Sequence, residues 1–345
     1  MTPAPRLPAL VPTGFARVGI LSRAPELLIE LGCSPQPILD AVGVSEAFLA
    51  CPDNLINFQT AGSLLARCAL ATGDDFGVRL GARANTTTLG LLGSLLLTAP
   101  NVGEALRLLI QHLHMHSQTA VAALDEMSDT VSLSYGIHHL PETGSEQVYG
   151  GGMGIALGIM RSLCGAQWRP AAVHFPFRAP ASLGTFRQIF GCSLLFDADL
   201  CAMSFPVALL AQPIQKSAFN VAKHFHLLRT IAEFQRHHPE AVTPRVQRTV
   251  HQLLLESRLS EESLAEKLHL HRRTLNRMLA REGTSFRELA REARFNVAKQ
   301  RLKDSSATIE QIALTLGFTS SSSFGRAFQQ WAGTSPTVFR QQHGT

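Results

Sequence analysis

Two stretches near the C-terminus repeat one pattern 48 residues apart, and that repetition restricts the fold more than any other feature of the chain. In the first stretch Ser260 stands at a helix N-cap position, with Glu261 and Glu262 in the first turn, where the helix dipole favours acidic side chains. Leu264, Ala265 and Leu268 then share one face. The segment His269-Leu270-His271 breaks the rhythm. A second helix follows, with Leu275, Met278 and Leu279 inward and Arg272, Arg273, Asn276 and Arg277 outward. In the second stretch Thr308 is the cap, Ile309, Ile312, Ala313 and Leu316 form the inner stripe, and Gly317-Phe318 supplies a turn. Phe324, Phe328 and Trp331 then line a second helix that carries Arg326 outside. Two short helices joined by a few residues, the second bearing Arg and Asn, predict a helix-turn-helix. The alanine fits where the two helices cross closely. From that alanine to the first buried residue of the second helix is ten residues in one copy and eleven in the other, so the second turn is longer by one.

The turn of such a unit needs one residue at positive φ. Gly317 supplies it in the second copy without steric cost, and the same offset in the first copy lands on His269. A left-handed histidine is therefore expected there. Between the copies, Phe286 to Lys303 holds no Gly or Pro, and ten of its 18 residues are charged or amide. As a helix it is about 27 Å long, close to the roughly 34 Å turn of B-DNA. Two recognition helices held that far apart can enter adjacent major grooves on one face of a duplex. Charge agrees with this. The whole chain carries +5, but residues 243–345 hold 16 Lys and Arg against 9 Asp and Glu, while residues 1–242 are slightly acidic. A compact basic module after a near-neutral part is the electrostatic footprint of nucleic-acid binding.

The run Thr308-Ile-Glu-Gln-Ile-Ala-Leu-Thr-Leu-Gly-Phe318, then Ser323-Phe-Gly-Arg-Ala-Phe328, Trp331-Ala-Gly-Thr-Ser-Pro336 and Phe339-Arg340, resembles the C-terminal signature of AraC/XylS-type transcription regulators. The resemblance covers residues 244–343. It implies that double-stranded DNA is the partner, that Arg273, Asn276 and Arg277 meet base edges from the first recognition helix, and that Ser321, Ser322 and Arg326 do so from the second. Arg272 and Arg281 are expected on phosphates. Gly325 departs from the small polar residue often found there, His269 replaces the usual turn glycine, and Phe339 replaces a common tyrosine. As an effector-responsive activator, such a chain would also contact RNA polymerase.

The N-terminal part reads as an α+β domain of helices and antiparallel sheet. Residues 1–20, rich in proline, are expected as an extended tail, residues 21–216 as an effector-sensing domain, and residues 217–243 as a helical linker, with Pro239 and Pro244 bracketing the boundary to the next domain. Helices are predicted near residues 25–31, 35–42, 58–72, 103–116, 146–164 and 183–190. A hairpin of 119–124 with 130–137 and strands at 172–177, 193–196 and 202–205 complete the prediction. Tyr149-Gly150, Trp168-Arg-Pro170, Val173-His-Phe-Pro-Phe-Arg-Ala-Pro180 and Phe186 through Phe196-Asp197 resemble the arabinose-binding-like domain of one branch of the same family. That resemblance implies a small-molecule effector and homodimer formation; the domain's name does not make arabinose the ligand. Gly150, Gly154 and Gly158 lie four apart on one helical face; close helix packing is the preferred use of this smooth stripe, and one wall of the effector site is the alternative.

No catalytic constellation is present: the chain lacks G-x-S-x-G, H-E-x-x-H, a P-loop and G-x-G-x-x-G. No cofactor is therefore expected, and no catalytic residue. His112, His114 and His116 suggest a metal cluster, but only 112 and 116 share a helical face and no carboxylate or cysteine joins them, so no metal is expected and a solvated helix surface is the preferred reading. Cys164, Cys192 and Cys201 carry no mark of a lowered thiol pKa. Six cysteines without a Cys-x-x-Cys read as reduced thiols. The longest uncharged apolar run, Thr88 to Ala99, has 12 residues and is too short to span a bilayer, and the first 15 residues hold four prolines and no signal-peptide core. A cytoplasmic location is expected, without membrane contact. The alternative, a metabolite-binding protein or enzyme carrying an accessory DNA-binding module, lacks any nucleophile–base or metal constellation to support it.

Overall fold

A computed structural model describes residues 11–214, 221–238 and 240–344. The N-terminal unit opens with strand β1 (Phe15–Arg17), a short 3-10 turn, and helices α1 (Ala24–Glu30), α2 (Pro35–Asp40) and α3 (Glu46–Leu49). Strand β2 (Leu55–Asn57) pairs antiparallel with β1 and runs into α4 (Phe58–Thr72), whose first turn is capped by the Asn57 side chain. Then come α5 (Phe76–Gly81), α6 (Leu91–Leu96) and α7 (Val102–His112). Strands β3 (Ala120–Met127) and β4 (Thr130–Ile137) form the predicted hairpin, and α8 (Ser145–Cys164) follows. Strand β5 (Ala172–His174), α9 (Gly184–Phe190), β6 (Ser193–Leu195), β7 (Cys201–Pro206) and α10 (Val221–His237) complete this part.

The five-stranded sheet has the order β3-β4-β7-β5-β6. It is antiparallel as expected except for one parallel pair, β5 with β6. The reason is local: α9 connects the two strands, and a helical crossover returns the chain in the same direction. The hairpin loop is shorter than the sequence suggests. Asp125, Glu126 and Met127 continue β3, and only Ser128 and Asp129 remain in the turn, with Ser128 at φ 45°.

Residues 11–20, expected as tail, are largely structured: Val18 is buried, and Ala16 and Arg17 contact residues 115–117 after α7. Residues 1–10 lie outside the described residues, as do 215–220 and 239, which take in the end of the expected sensing domain and part of the expected linker. The rest of that linker is not a tether. Leu227, Ile231 and Phe234 of α10 join the N-terminal core, and Pro244 sits inside the next helix instead of bounding it.

The C-terminal unit is all-helical: α11 (Val242–Leu255), α12 (Glu261–Lys267), α13 (Arg272–Arg281), α14 (Phe286–Asp304), α15 (Ile309–Thr315), α16 (Ser321–Ala332) and α17 (Pro336–His343). Two small cores support it. Val246, Val250, Leu264, Leu275, Leu279 and Ala293 belong to the first, and Ala298, Leu302, Ile312, Leu316, Phe324 and Phe328 to the second. Helix α14 contributes to both. One long helix thus fixes the spacing of two separately packed units.

Candidate nucleic-acid interface and sensing cavity

Each half of the interface is built by local chemistry. The Ser260 hydroxyl accepts the Ser263 amide at 3.0 Å, and Thr308 forms a reciprocal capping box with Gln311. Ser285 and Ser320 cap α14 and α16 by accepting the Glu288 and Ser323 amides. The turn residues fall at φ 55° for His269 and 78° for Gly317, so the histidine adopts the left-handed conformation that its position demands. Leu264, Ala265, Leu275, Ile312, Ala313 and Phe324 are all buried at the helix crossings. Arg294 of α14 donates from Nε to the Leu316 carbonyl at 3.0 Å and stands over the Phe318 ring, tying the second turn to the long helix.

The outward faces of α13 and α16 are polar and exposed. Arg273, Arg277, Arg281 and Arg326 make no side-chain hydrogen bond or ion pair among the described residues, and Ser321 and Ser322 stand exposed in the first turn of α16. Arg272 and Asn276 are held instead. Arg272 pairs with Glu261 at 3.1 Å and Glu262 at 2.6 Å, and Asn276 donates to Glu261 at 2.8 Å. The hydrogen bond from Arg272, then that from Asn276, keeps the Glu261 carboxyl below its usual range. Sequence reasoning missed Glu261 in this role, because an acid in a first turn already has a sufficient explanation in the helix dipole. A Cβ at Gly325 would meet nothing within 4 Å, so that position leaves open space on the outer face.

The glycine stripe of α8 splits by face. A Cβ on Gly154 would lie 2.7 Å from the backbone of Gly81 and Ala82, and one on Gly158 would lie 2.0 Å from the Ala84 carbonyl oxygen. Gly150 likewise faces Val78, at 3.6 Å. Gly154 and Gly158 let α8 pack closely against α5 and the segment after it, which is the packing use of the stripe, whereas a Cβ at Gly150 would be accommodated at ordinary contact distance. The neighbouring face, with Gly151, Gly152, Ile155 and Ala156, lines a cavity of about 170 Å³ bounded also by β3, β4, α5 and α7.

The histidine run is neither a metal site nor a solvated surface. His112 is 5% exposed, and burial lowers the pKa of His112, His114 and His116 to about 4. Among the described residues no group of three His, Cys, Asp or Glu side chains could hold a metal ion. Burial also pushes the Cys164 thiol up to about 11 and raises those of Cys192 and Cys201, which disfavours the reactive thiolate. No helix among the described residues is long and apolar enough to cross a membrane.

A contact that the sequence did not reveal joins the two parts. Arg301 of α14 is 1% exposed; it donates to the Ala198 carbonyl and lies 3.3 Å from Asp199. Tyr149 donates to Gln300 at 3.0 Å, Ser145 to the Asp304 carboxylate at 2.6 Å, and Gln252 of α11 to the Ala122 carbonyl at 3.3 Å. Asp197 accepts from both the amide and the hydroxyl of Ser306. The second half of the long helix is therefore seated on α8 and on the segment between β6 and β7, while α11 touches β3.

Comparison with known proteins agrees with this architecture. The profile of the arabinose-binding domain of AraC transcription regulators, N-terminal, matches residues 32–214, and a helix-turn-helix domain profile matches residues 264–342. The ornithine utilization regulator of Pseudomonas aeruginosa is 26% identical over 343 residues, covering 96% of each chain. The HTH-type transcriptional regulator VirS of Mycobacterium tuberculosis is 28% identical over 330 residues, covering 92% of this chain and 94% of its own. Among solved structures, the transcriptional regulator CdpR from Pseudomonas aeruginosa aligns with a TM-score of 0.44 at 23% identity, over 89% of this chain and 96% of its own. With the N-terminal profile covering more than half of its length and the helix-turn-helix profile its C-terminal third, the chain belongs to the AraC-type transcription regulators, DNA-binding proteins with a ligand-binding N-terminal domain, and is not an enzyme.

Proposed function

We propose that this regulator reads two successive major grooves from one chain, inserting α13 and α16 side by side, and that it acts as an effector-responsive activator. The observation that carries the reading is the pair of recognition helices fixed by α14, whose 19 residues span about 28 Å. In this reading Arg273 and Arg277 make bidentate contact with guanine O6 and N7, and Arg326 serves the second groove. Ser321 and Ser322 are short donors to bases or phosphates. Arg281 is assigned to phosphate, and Arg272 and Asn276 become available to DNA once Glu261 releases them. The domain division at residues 216 and 244, contact with RNA polymerase and assembly into a homodimer belong to the same reading, as does a cytoplasmic location alongside the DNA.

Electrophoretic mobility shift of the full chain, on promoter fragments upstream of and flanking its own coding region, tests this. A specific complex whose affinity falls steeply with salt is expected, as release of counterions from neutralised phosphates requires. Equal binding to all duplexes would reduce the interface to a non-specific basic patch.

A further inference from the structure

The cavity beside α8 is lined mostly by large apolar side chains, among them Leu80, Leu109, Leu133 and Ile159, and small residues leave the space open at Ala156 on α8 and at Ala120 and Ala122 on β3. Interiors are otherwise packed densely, with few voids larger than a water molecule. A dry apolar cavity of about 150 Å³ accepts benzene, so the 170 Å³ found here accommodates a comparable group. Three of its polar side chains are already engaged. Gln147 accepts the Gly77 amide at 2.8 Å and donates to the Asp74 carbonyl at 2.8 Å, and the Ser117 hydroxyl lies 3.0 Å from that of Thr119. Arg17 donates to the carbonyls of Met115 and Asp53 and sits 3.6 Å from the Asp53 carboxylate. His116 is held neutral by burial and by the nearby Arg17 charge. No carboxylate lines the space, so a cationic ligand would find no counter-charge.

Tyr135 of β4 borders this cavity and also a crevice between the sheet and the DNA-binding helices, lined by Leu255, Gln300 and Leu316. Gly152 makes room for its ring, since a Cβ there would lie 2.6 Å from Tyr135 Cε1. The ring meets Tyr149 edge-on at 6.0 Å, and the Tyr149 hydroxyl donates to Gln300 of α14. From these facts we propose that the cavity binds a small, neutral, apolar molecule, a single aromatic ring or a chain of about six to eight carbons, and that Tyr135 passes its occupancy through Tyr149 to α14. The proposal rests on the chain being an effector-responsive DNA-binding regulator. Coupling of this kind requires that the ligand favour one of two arrangements of the seated long helix.

The test uses three probes with one chain length and different head charges: 1-hexanol, hexanoate and hexylamine. Isothermal titration calorimetry of the full chain should show saturable binding of hexanol, with the two charged probes about tenfold or more weaker. Ala156→Leu, which fills the cavity from α8, and Ala122→Val, which fills it from β3, should each weaken hexanol binding about tenfold or more while leaving basal DNA binding intact. Hexanol should change the affinity of the wild-type chain for its operator about fivefold or more. Tyr149→Phe should bind hexanol as well as wild type does and lose that response. Hexanoate binding more tightly than hexanol would overturn the neutral class and make Arg17 its counter-ion. Hexanol binding unaffected by both filling variants would place the site elsewhere, and a full response in Tyr149→Phe would remove the coupling route. Normal operator binding with no heat from hexanol would overturn the cavity proposal alone, whereas absence of any operator binding would instead overturn the functional reading.

Discussion

His269 shows how much one residue's backbone can reveal. Its φ of 55° is where histidine is tolerated but strained by roughly 1 kcal/mol relative to glycine. His269→Gly should therefore be neutral or mildly stabilising, and the β-branched His269→Val clearly worse. Scanning calorimetry of the full chain checks this; equal transition temperatures for the two variants would mean that the turn does not depend on a left-handed residue. Asp304 is the second residue with a stated consequence. Its side chain is buried at the contact with α8, one carboxylate oxygen has no hydrogen-bond partner, and burial followed by repulsion from Glu146 raises its pKa from 3.8 to about 6, against the opposing effects of Ser145, Lys303 and Arg178. The folded chain thus holds this proton more tightly than the unfolded one. The stability contributed by the group is fully present below pH 3.8 and lost as the pH rises through about 6. Asp304→Asn should raise stability near neutral pH by about 2–3 kcal/mol, with the gain vanishing by about pH 4. The buried histidines are common to both proteins and largely cancel in that difference. A pH-independent gain would contradict the assignment.

Among the elements, the recognition helices were the most legible in the sequence. Caps, inner stripes and turn residues recur at fixed offsets there, and local chemistry decides each helix. The N-terminal helices α3, α5 and α6 were not foreseen. They have only 4, 6 and 6 residues, too short for periodicity to register, and tertiary packing holds them. Gly93 on α6 illustrates this: a Cβ there would lie 1.6 Å from the Thr86 carbonyl oxygen, a close approach to the preceding turn that apolar periodicity does not report. The cavity was hidden as well, because both the face of α8 that lines it and the face that packs on α5 carry glycines. For the two DNA-reading helices the side chains predict unequal roles. Arg273→Ala and Arg277→Ala should each cost about 1–3 kcal/mol at the cognate site and relax base preference under α13. Ser321→Ala and Ser322→Ala should cost less. Binding titrations against base-substituted operators distinguish these; a uniform loss over all sequences would move the two arginines to the phosphates.

At the scale of the whole molecule, the long helix has two employments. Its length sets the spacing of two DNA-reading units, and its second half carries Gln300, Arg301 and Asp304 into contact with the sensing domain. Any ligand-dependent shift of that seat would act on both recognition helices at once. The charge asymmetry announced the DNA partner, whereas the seat was invisible in the sequence: Arg301 reads there as one more arginine of a solvated helix, yet it is among the most buried side chains in the chain. The central claim is that one chain reads two adjacent grooves, and hydroxyl-radical footprinting of the full-length protein on its operator measures this most directly. The account predicts two protected segments on one face of the duplex, centred about 10–11 base pairs apart, as one helical turn requires. Arg273→Ala should weaken one segment and Arg326→Ala the other. A single protected segment, unchanged by Arg326→Ala, would contradict it.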